Sequence, residues 1–293
     1  LSHSPPAHLH PPATAVRCAV ALALAEDLLP LGDLTASLLP MGAVARGALV
    51  ARDTGVLAGR LCATEAFAQI DPTVEIAWTV DDGDDLGPGQ VLAHVSGWLA
   101  SVLTAERTAL NFLGHLSGVA SLTRRYVDAA AHANPATRVW DTRKTTPGLR
   151  ALEKAAVRAG GGVNHRGSLS EGVLVKDNHL TAMAIGDAVT RARQLWPGRL
   201  LEVECDHLDQ VKEAVAAGAG LVLLDNMAPD QVRACVVLVR EQSHPRTLVE
   251  VSGRISLDSV GGYARAGADL ISVGAITHSA PVLDIGLDLE PKP

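Results

Sequence analysis

Leu221-Val222-Leu223-Leu224-Asp225 is apolar up to its last position and ends on a carboxylate. Four further stretches share that form: Gly172-Val173-Leu174-Val175-Lys176, Leu200-Leu201-Glu202-Val203-Glu204, Leu248-Val249-Glu250-Val251-Ser252-Gly253 and Leu270-Ile271-Ser272-Val273-Gly274. Each has the length of a buried parallel strand, and the gaps of roughly 15–25 residues between them each fit a helix. This alternation predicts a β/α barrel, whose chemistry gathers at the C-terminal ends of its strands. One Lys, two carboxylates and two Gly-containing turns would then converge on one pocket. Packing gives buried strands no reason to end on Lys, Glu and Asp, so the pattern points to an enzyme.

Composition narrows the class. An apolar fraction of 47% is ample for a core, but aromatics make up only 3%, so the packing must rest on Ala, Val and Leu. A net charge of −7, with no basic face to offset it, argues against a nucleic-acid partner. Cys18, Cys62, Cys205 and Cys235 are isolated and show no C-x-x-C spacing. They read as small buried thiols of a reducing cytosol rather than a zinc site or disulfide framework. The apolar stretch Ala19 to Ala25 is too short to span a bilayer and runs into Glu26-Asp27. The expectation is a soluble cytoplasmic protein with no membrane partner. Residues 1–12, rich in Pro and His, read as a disordered lead-in. The absence of an initiating Met suggests a chain that begins inside its coding sequence or at a cloning scar.

The chain before residue 119 follows a different grammar. A helix over Val16 to Leu29 precedes strand-like pieces at 45–51, 74–80 and 91–95. Asp81-Asp82-Gly83-Asp84-Asp85 and Gly87-Pro88-Gly89 read as a solvated hairpin turn, because the acidic spacing does not match an EF-hand loop. A helix is expected over Leu99 to Gly118, with Arg107 and Asn111 one turn apart on one face, and a second over Leu122 to Ala133. This divides the chain into a domain over 13–118, joined by a returning tail at 281–293, and a barrel over 119–280.

Basic residues mark the barrel mouth. Asp141-Thr142-Arg143-Lys144-Thr145-Thr146-Pro147-Gly148 sets two cations beside a run of hydroxyls and a turn. Arg clamps a carboxylate with two parallel hydrogen bonds, and Lys supplies a point charge. Asn164-His165-Arg166 and Lys176-Asp177-Asn178-His179 follow the next strands. Arg143, Lys144, His165, Arg166 and Lys176 around one mouth would repel one another unless a polyanionic ligand neutralises them. Glu204 and Asp225 could hold Mg²⁺, bind sugar hydroxyls or stabilise developing positive charge. Ser252-Gly253 and Gly274 stand where barrels build a phosphate site from backbone N–H groups.

Glu106-Arg107-Thr108-Ala109-Leu110-Asn111-Phe112-Leu113, the Thr142–Gly148 run, Asn164-His165-Arg166, Lys176-Asp177-Asn178-His179, Glu202-Val203-Glu204 and Leu224-Asp225-Asn226 together resemble the quinolinate phosphoribosyltransferase family. The resemblance spans about Val16 to Leu287. It implies an N-terminal α/β sandwich and an open α/β barrel of seven strands. It also implies a homodimer with shared sites, in higher assemblies where dimers associate further. The implied reaction joins quinolinate to phosphoribosyl pyrophosphate with Mg²⁺, giving nicotinate mononucleotide, pyrophosphate and CO₂.

By the same resemblance, Arg107 of a neighbouring subunit, Thr142, Arg143, His165 and Arg166 hold the acid, while Lys144 and Lys176 bridge the two substrates. Glu204 and Asp225 secure ribose and Mg²⁺, and Ser252, Gly253, the Arg254 backbone and Gly274 hold the 5-phosphate. The chain departs from the family pattern at Arg254, where a second Gly is usual, and at Ala155-Ala156, where an aromatic is common. Other readings of the same residues are a phosphoribosyltransferase with another acceptor, a Schiff-base barrel aldolase using Lys176, and a non-catalytic sensor of phosphoribosyl ligands.

Overall fold

A computed structural model describes residues 9–242 and 247–290. Most of the lead-in read over 1–12, namely positions 1–8, lies outside the described residues, as do 291–293 of the tail. The helices are α1 (Ala13–Leu28), α2 (Arg60–Ile70), α3 (Leu99–Ala133), α4 (Arg150–Ala159), the short α5 (Asp177–Leu180), α6 (Ile185–Leu195), α7 (Leu208–Ala217), α8 (Pro229–Gln242), α9 (Leu257–Arg265) and the short α10 (Ala275–His278). The first strands are β1 (Val44–Ala51), β2 (Gly55–Val56), β3 (Glu75–Trp78), β4 (Asp85–Leu86) and β5 (Val91–Trp98). Then come β6 (Arg138–Trp140), β7 (Gly172–Val175), β8 (Leu200–Cys205), β9 (Leu221–Asp225), β10 (Leu248–Ser252), β11 (Leu270–Ser272) and β12 (Ile285–Leu289).

The chain forms two compact units. One comprises Leu1–Arg124, Thr145–Gly161 and Ile276–Pro293; the other comprises Arg125–Lys144 and Gly162–Ala275. In the first, an antiparallel sheet has the order β12-β1-β5-β3. The returning tail supplies its edge, with Leu49 opposite Leu287. α1 buries Val16, Val20 and Leu24, a four-residue spacing that keeps them on one face.

In the second unit, the parallel sheet runs β6-β11-β10-β9-β8-β7. Val163 adds a parallel bridge to Trp140 on the free side of β6. Read around the sheet, this is chain order closed on itself, with the last strand paired to the first. Among the described residues no pairing joins Val163 to β7, and that gap makes the barrel open, with Val163 as a rudimentary seventh strand. Val203, Val222, Val249, Val251 and Ile271 are fully buried on these strands, the aliphatic core that the composition predicts.

Two expectations are corrected. α3 is one helix of 35 residues, not two. Gly118 does not stop it, because the missing side chain serves a close approach: an added Cβ would lie 2.0 Å from the Pro281 carbonyl oxygen. The acidic turn is not a solvated hairpin either. Asp82 is buried, and the Arg60 N–H at the start of α2 donates to its Oδ1 at 3.2 Å. Burial pushes the Asp82 carboxyl above its usual range, while Arg60 pairs with Asp81 and lies over the Trp78 ring.

Helix propensity alone would make Gly118→Ala stabilising by about 1 kcal/mol. The contact with Pro281 is backbone and has nowhere to move, so overpacking should win. Gly118→Ala is expected to lower stability by about 1–3 kcal/mol, read as a shift in urea midpoint at unchanged m-value.

Candidate active site

Because all six strands of the barrel unit are parallel, their C-terminal ends share one side. There a cavity of about 540 Å³ is lined by Thr142, Arg143 and Lys144 after β6, and by His165 and Arg166 after the Val163 bridge. Lys176, Glu204, Asp225, Ser252, Gly253 and Arg254 complete the groups that the sequence assigns to it. Arg107 and Gly274 are not among its lining residues. Arg107 is exposed on α3 in the first unit, and Gly274 sits in the turn between β11 and α10.

The loop after β6 is fixed by its first residue. Asp141 is fully buried; its Oδ1 accepts the His165 N–H at 2.8 Å and its Oδ2 accepts the Asn164 amide at 2.6 Å. One carboxylate thus joins the two loops that carry Arg143 and Arg166. Of the hydroxyls in that loop only Thr142 lines the cavity, and its Oγ1 accepts the Lys144 N–H at 3.0 Å. Thr145 Oγ1 instead accepts Arg150 Nε at 3.0 Å, and the Thr146 N–H donates to Glu153 at 3.1 Å. The run of hydroxyls therefore contributes less to the anion site than its sequence suggests.

Charges are paired in part. Lys176 Nζ forms a short ion pair with Glu204 Oε2; the Lys side chain is 45% exposed and the Glu 8%. Arg166 Nη1 donates to the Gly172 carbonyl at 2.8 Å. Burial, then the neighbouring Arg143 charge, lowers the Arg166 pKa from the usual arginine value. Four permanent cations (Arg143, Lys144, Arg166 and Lys176) therefore border one cavity. That is a binding surface for an anion carrying several charges.

The turns after β9 and β10 hold unusual backbone. Asn226 and Arg254 both have positive φ, 54° and 48°, and Gly253 lies between the two strand ends at 101°. A Cβ on Gly253 would lie 2.4 Å from Asn226 Oδ1, so only glycine fits there. The Arg254 position does use the left-handed region that suits a second glycine. The arginine simply occupies it, at a conformational cost.

Three polar lining residues have no role in the sequence reading: Asn226, Glu250 and Ser272. Glu202 lies with them as a fully buried carboxylate. Burial pushes Glu202 up to about 7 and Glu250 well above the carboxylate range. The signal was present in Glu202-Val203-Glu204 and Glu250-Val251-Ser252. A period of two places each earlier residue on the same face as the later one, one layer deeper in the barrel. A larger cavity of about 710 Å³ opens near the N-terminal ends of β7 to β9, and among the described residues Arg193 and Arg199 are its charged lining, with no carboxylate, His, Lys or Cys beside them.

Residues 33–117 match the quinolinate phosphoribosyl transferase N-terminal domain and residues 119–288 match the C-terminal domain. The chain is 43% identical to the nicotinate-nucleotide pyrophosphorylase [carboxylating] of Mycobacterium leprae, covering 94% of this chain and 97% of that one. It is 40% identical to a probable enzyme of the same name from Bacillus subtilis, covering 88% of each. The structure of the nicotinate-nucleotide pyrophosphorylase from Francisella tularensis superimposes with a TM-score of 0.89 at 36% identity, over 95% of this chain and 97% of that one.

A left-handed arginine gives the turn a measurable property. Arg254→Gly is expected to stabilise the protein by about 1 kcal/mol, since relief of the strained φ outweighs the added chain entropy of glycine. Equilibrium urea unfolding checks this; a loss of stability would show that the arginine side chain is held by contacts that repay its strain.

Proposed function

The chain belongs to the quinolinate phosphoribosyltransferase family, and on that premise we propose how its barrel site carries out the family's reaction. The enzyme transfers the phosphoribosyl group of phosphoribosyl pyrophosphate to the ring nitrogen of quinolinate. It releases pyrophosphate and CO₂ and forms nicotinate mononucleotide for NAD synthesis. The observation that carries this reading is the border of Arg143, Lys144, Arg166 and Lys176 on one cavity whose strand ends also bear Glu204 and Asp225. A pyridine dicarboxylate and a phosphorylated sugar diphosphate together supply the negative charge that such a border requires.

Arg143 and Arg166 clamp the two carboxylates of the acid, and Thr142 fixes the loop between them. Lys144 and Lys176 stand between the acid and the sugar. As the C1–oxygen bond to pyrophosphate breaks, positive charge grows on the sugar, and Glu204 and Asp225 face it while holding the ribose hydroxyls. The ring nitrogen then bonds to C1. The 2-carboxylate leaves as CO₂, its electron pair stays at C2 beside the positive nitrogen, and C2 takes up a proton. Ser252, Gly253, the Arg254 amide and Gly274 hold the 5-phosphate through backbone N–H groups, with the Arg254 guanidinium adding charge.

Mg²⁺ favours hard oxygen ligands and is usually held by one or two carboxylates together with substrate phosphates. Glu204 and Asp225, at the ends of the adjacent strands β8 and β9, fit that donor set. Bound there, Mg²⁺ would neutralise charge on the departing pyrophosphate. A Schiff base on Lys176, the aldolase alternative, would first need its nitrogen released from Glu204.

The family reading also implies a cytoplasmic homodimer in which Arg107 reaches the partner's site. Two features support the dimer: Arg107 is exposed on α3, and Leu29, Leu31, Leu34, Leu38 and Met41 are all more than half exposed within one short segment. So much clustered apolar surface fits burial against a second copy.

Two outcomes test these roles. Purified protein with quinolinate, phosphoribosyl pyrophosphate and Mg²⁺ should form nicotinate mononucleotide. With nicotinate as acceptor, kcat/KM should fall by at least about 100-fold, because an arginine is left desolvated and unpaired; equal values would favour a nicotinate-specific enzyme. Arg107→Ala and Lys144→Ala proteins, each nearly inactive, should regain activity when their subunits exchange. No recovery after verified exchange would remove the shared site.

A further inference from the structure

His165 is buried between groups that determine its protonation state. Its ring packs edge-on against Trp140, with centroids 4.8 Å apart, and its backbone N–H is held by Asp141. Nδ1 accepts the Arg166 backbone N–H at 2.7 Å. A ring nitrogen that accepts carries no proton, so in this geometry the imidazole is neutral and its hydrogen is on Nε2. Nε2 faces two buried carboxyl groups, Glu202 Oε2 at 3.0 Å and Glu250 Oε2 at 3.5 Å.

His165, Glu202 and Glu250 bring ligand atoms within 4.8 Å of one another, close enough for a metal. The Arg166 amide argues against one. With Nδ1 accepting, the only hydrogen of a neutral ring occupies the Nε2 lone pair that a metal would need. What remains is a hydrogen-bonded column running from Glu202 through the imidazole to the Arg166 amide, with the Glu250 carboxyl beside it at 3.5 Å. Arg166 is then held at both ends, by His165 at its backbone and by the Gly172 carbonyl at its guanidinium.

We propose that His165 is a positioning residue, kept by Glu202 and Glu250 as the neutral Nε2–H tautomer so that its Nδ1 sets the backbone, and with it the guanidinium, of Arg166 towards the acceptor's carboxylate. The proposal rests on the reading that Arg166 binds that carboxylate. It replaces the direct contact of a cationic His165 with the acid that the family resemblance implies. Both ring nitrogens are already committed to protein groups, and the ring brings no charge to the mouth.

The tautomer can be read without substrate. In ¹⁵N-histidine-labelled protein at neutral pH, long-range ¹H–¹⁵N correlation should show a ring with unprotonated Nδ1 and protonated Nε2, assigned by its disappearance in His165→Asn. A doubly protonated ring, or an Nδ1–H tautomer, would overturn the proposal. Quinolinate titration calorimetry supplies the second arm. His165→Asn keeps an acceptor where Nδ1 lies, whereas His165→Gln keeps only a donor where Nε2 lies. The Asn protein should bind quinolinate at least about tenfold more tightly than the Gln protein, the difference one buried hydrogen bond can make. Equal losses in both would mean that the ring itself touches the acid. If the tautomer is found but no nicotinate mononucleotide is ever formed, the column stands and the assigned reaction falls.

Discussion

Glu202 and Glu204 are two residues apart on β8, as are Glu250 and Ser252 on β10, and in a strand that spacing returns to the same face. The parallel ladder ties these faces together: Glu204 lies opposite Leu223, Leu223 opposite Glu250, and Asp225 opposite Ser252. Cavity-lining residues thus alternate with fully buried Val203, Val222, Val251 and Ile271. A slip of one residue in β8 or β10 would turn its valines into the cavity and its carboxylates into the aliphatic layer under the helices. Burying an unpaired carboxylate there costs several kcal/mol, so register and site are specified by the same preference.

That register stacks the charge in layers. Arginine and lysine stand at the rim, where Arg143 and Lys144 are exposed, and carboxyl groups lie beneath them at Asp141, Glu202, Glu204 and Glu250. Pairing is local. Glu204 answers Lys176, and Asp141 accepts two loop hydrogen bonds. Acid below and base above give the cavity a direction: an incoming anion meets the rim, while cationic charge growing on a sugar meets the strand ends. Such fixed charges need little reorganisation when the reaction occurs.

The barrel was readable because its strands are short aliphatic runs ending in polar groups, a combination that a buried helix has no cause to adopt. The cationic border was readable for a similar reason, as Arg143-Lys144 and His165-Arg166 follow strand-like pieces directly. What failed were features whose cause is tertiary. Gly118 looks like a helix stop in isolation, yet it lies in a continuous helix because Pro281, far along the chain, needs the space of its missing side chain. Asp82 looks solvated among three acidic neighbours, yet it accepts the Arg60 N–H at the start of α2 from a buried position. Thr145 and Thr146 look like anion ligands, but Arg150 and Glu153 claim them. Glu250 lies mid-strand, where the local sequence carries no sign of a site, because its depth in the barrel depends on neighbours from other strands.

The turns after β9 and β10 carry the argument one step further. Left-handed backbone at a non-glycine residue costs of order 1–3 kcal/mol, and Asn226 and Arg254 both adopt it in adjacent turns. The Asn226 N–H donates to the Ser252 carbonyl at 3.0 Å, so the two turns are tied together. Gly253 is confined between them, with no room for a side chain against Asn226. Gly253 and Arg254 are successive residues at positive φ, 101° and 48°, and theirs are the backbone N–H groups that the proposed phosphate site would use. An arginine at the last position adds a charge that glycine could not supply, and it retains the backbone conformation on which the amide depends.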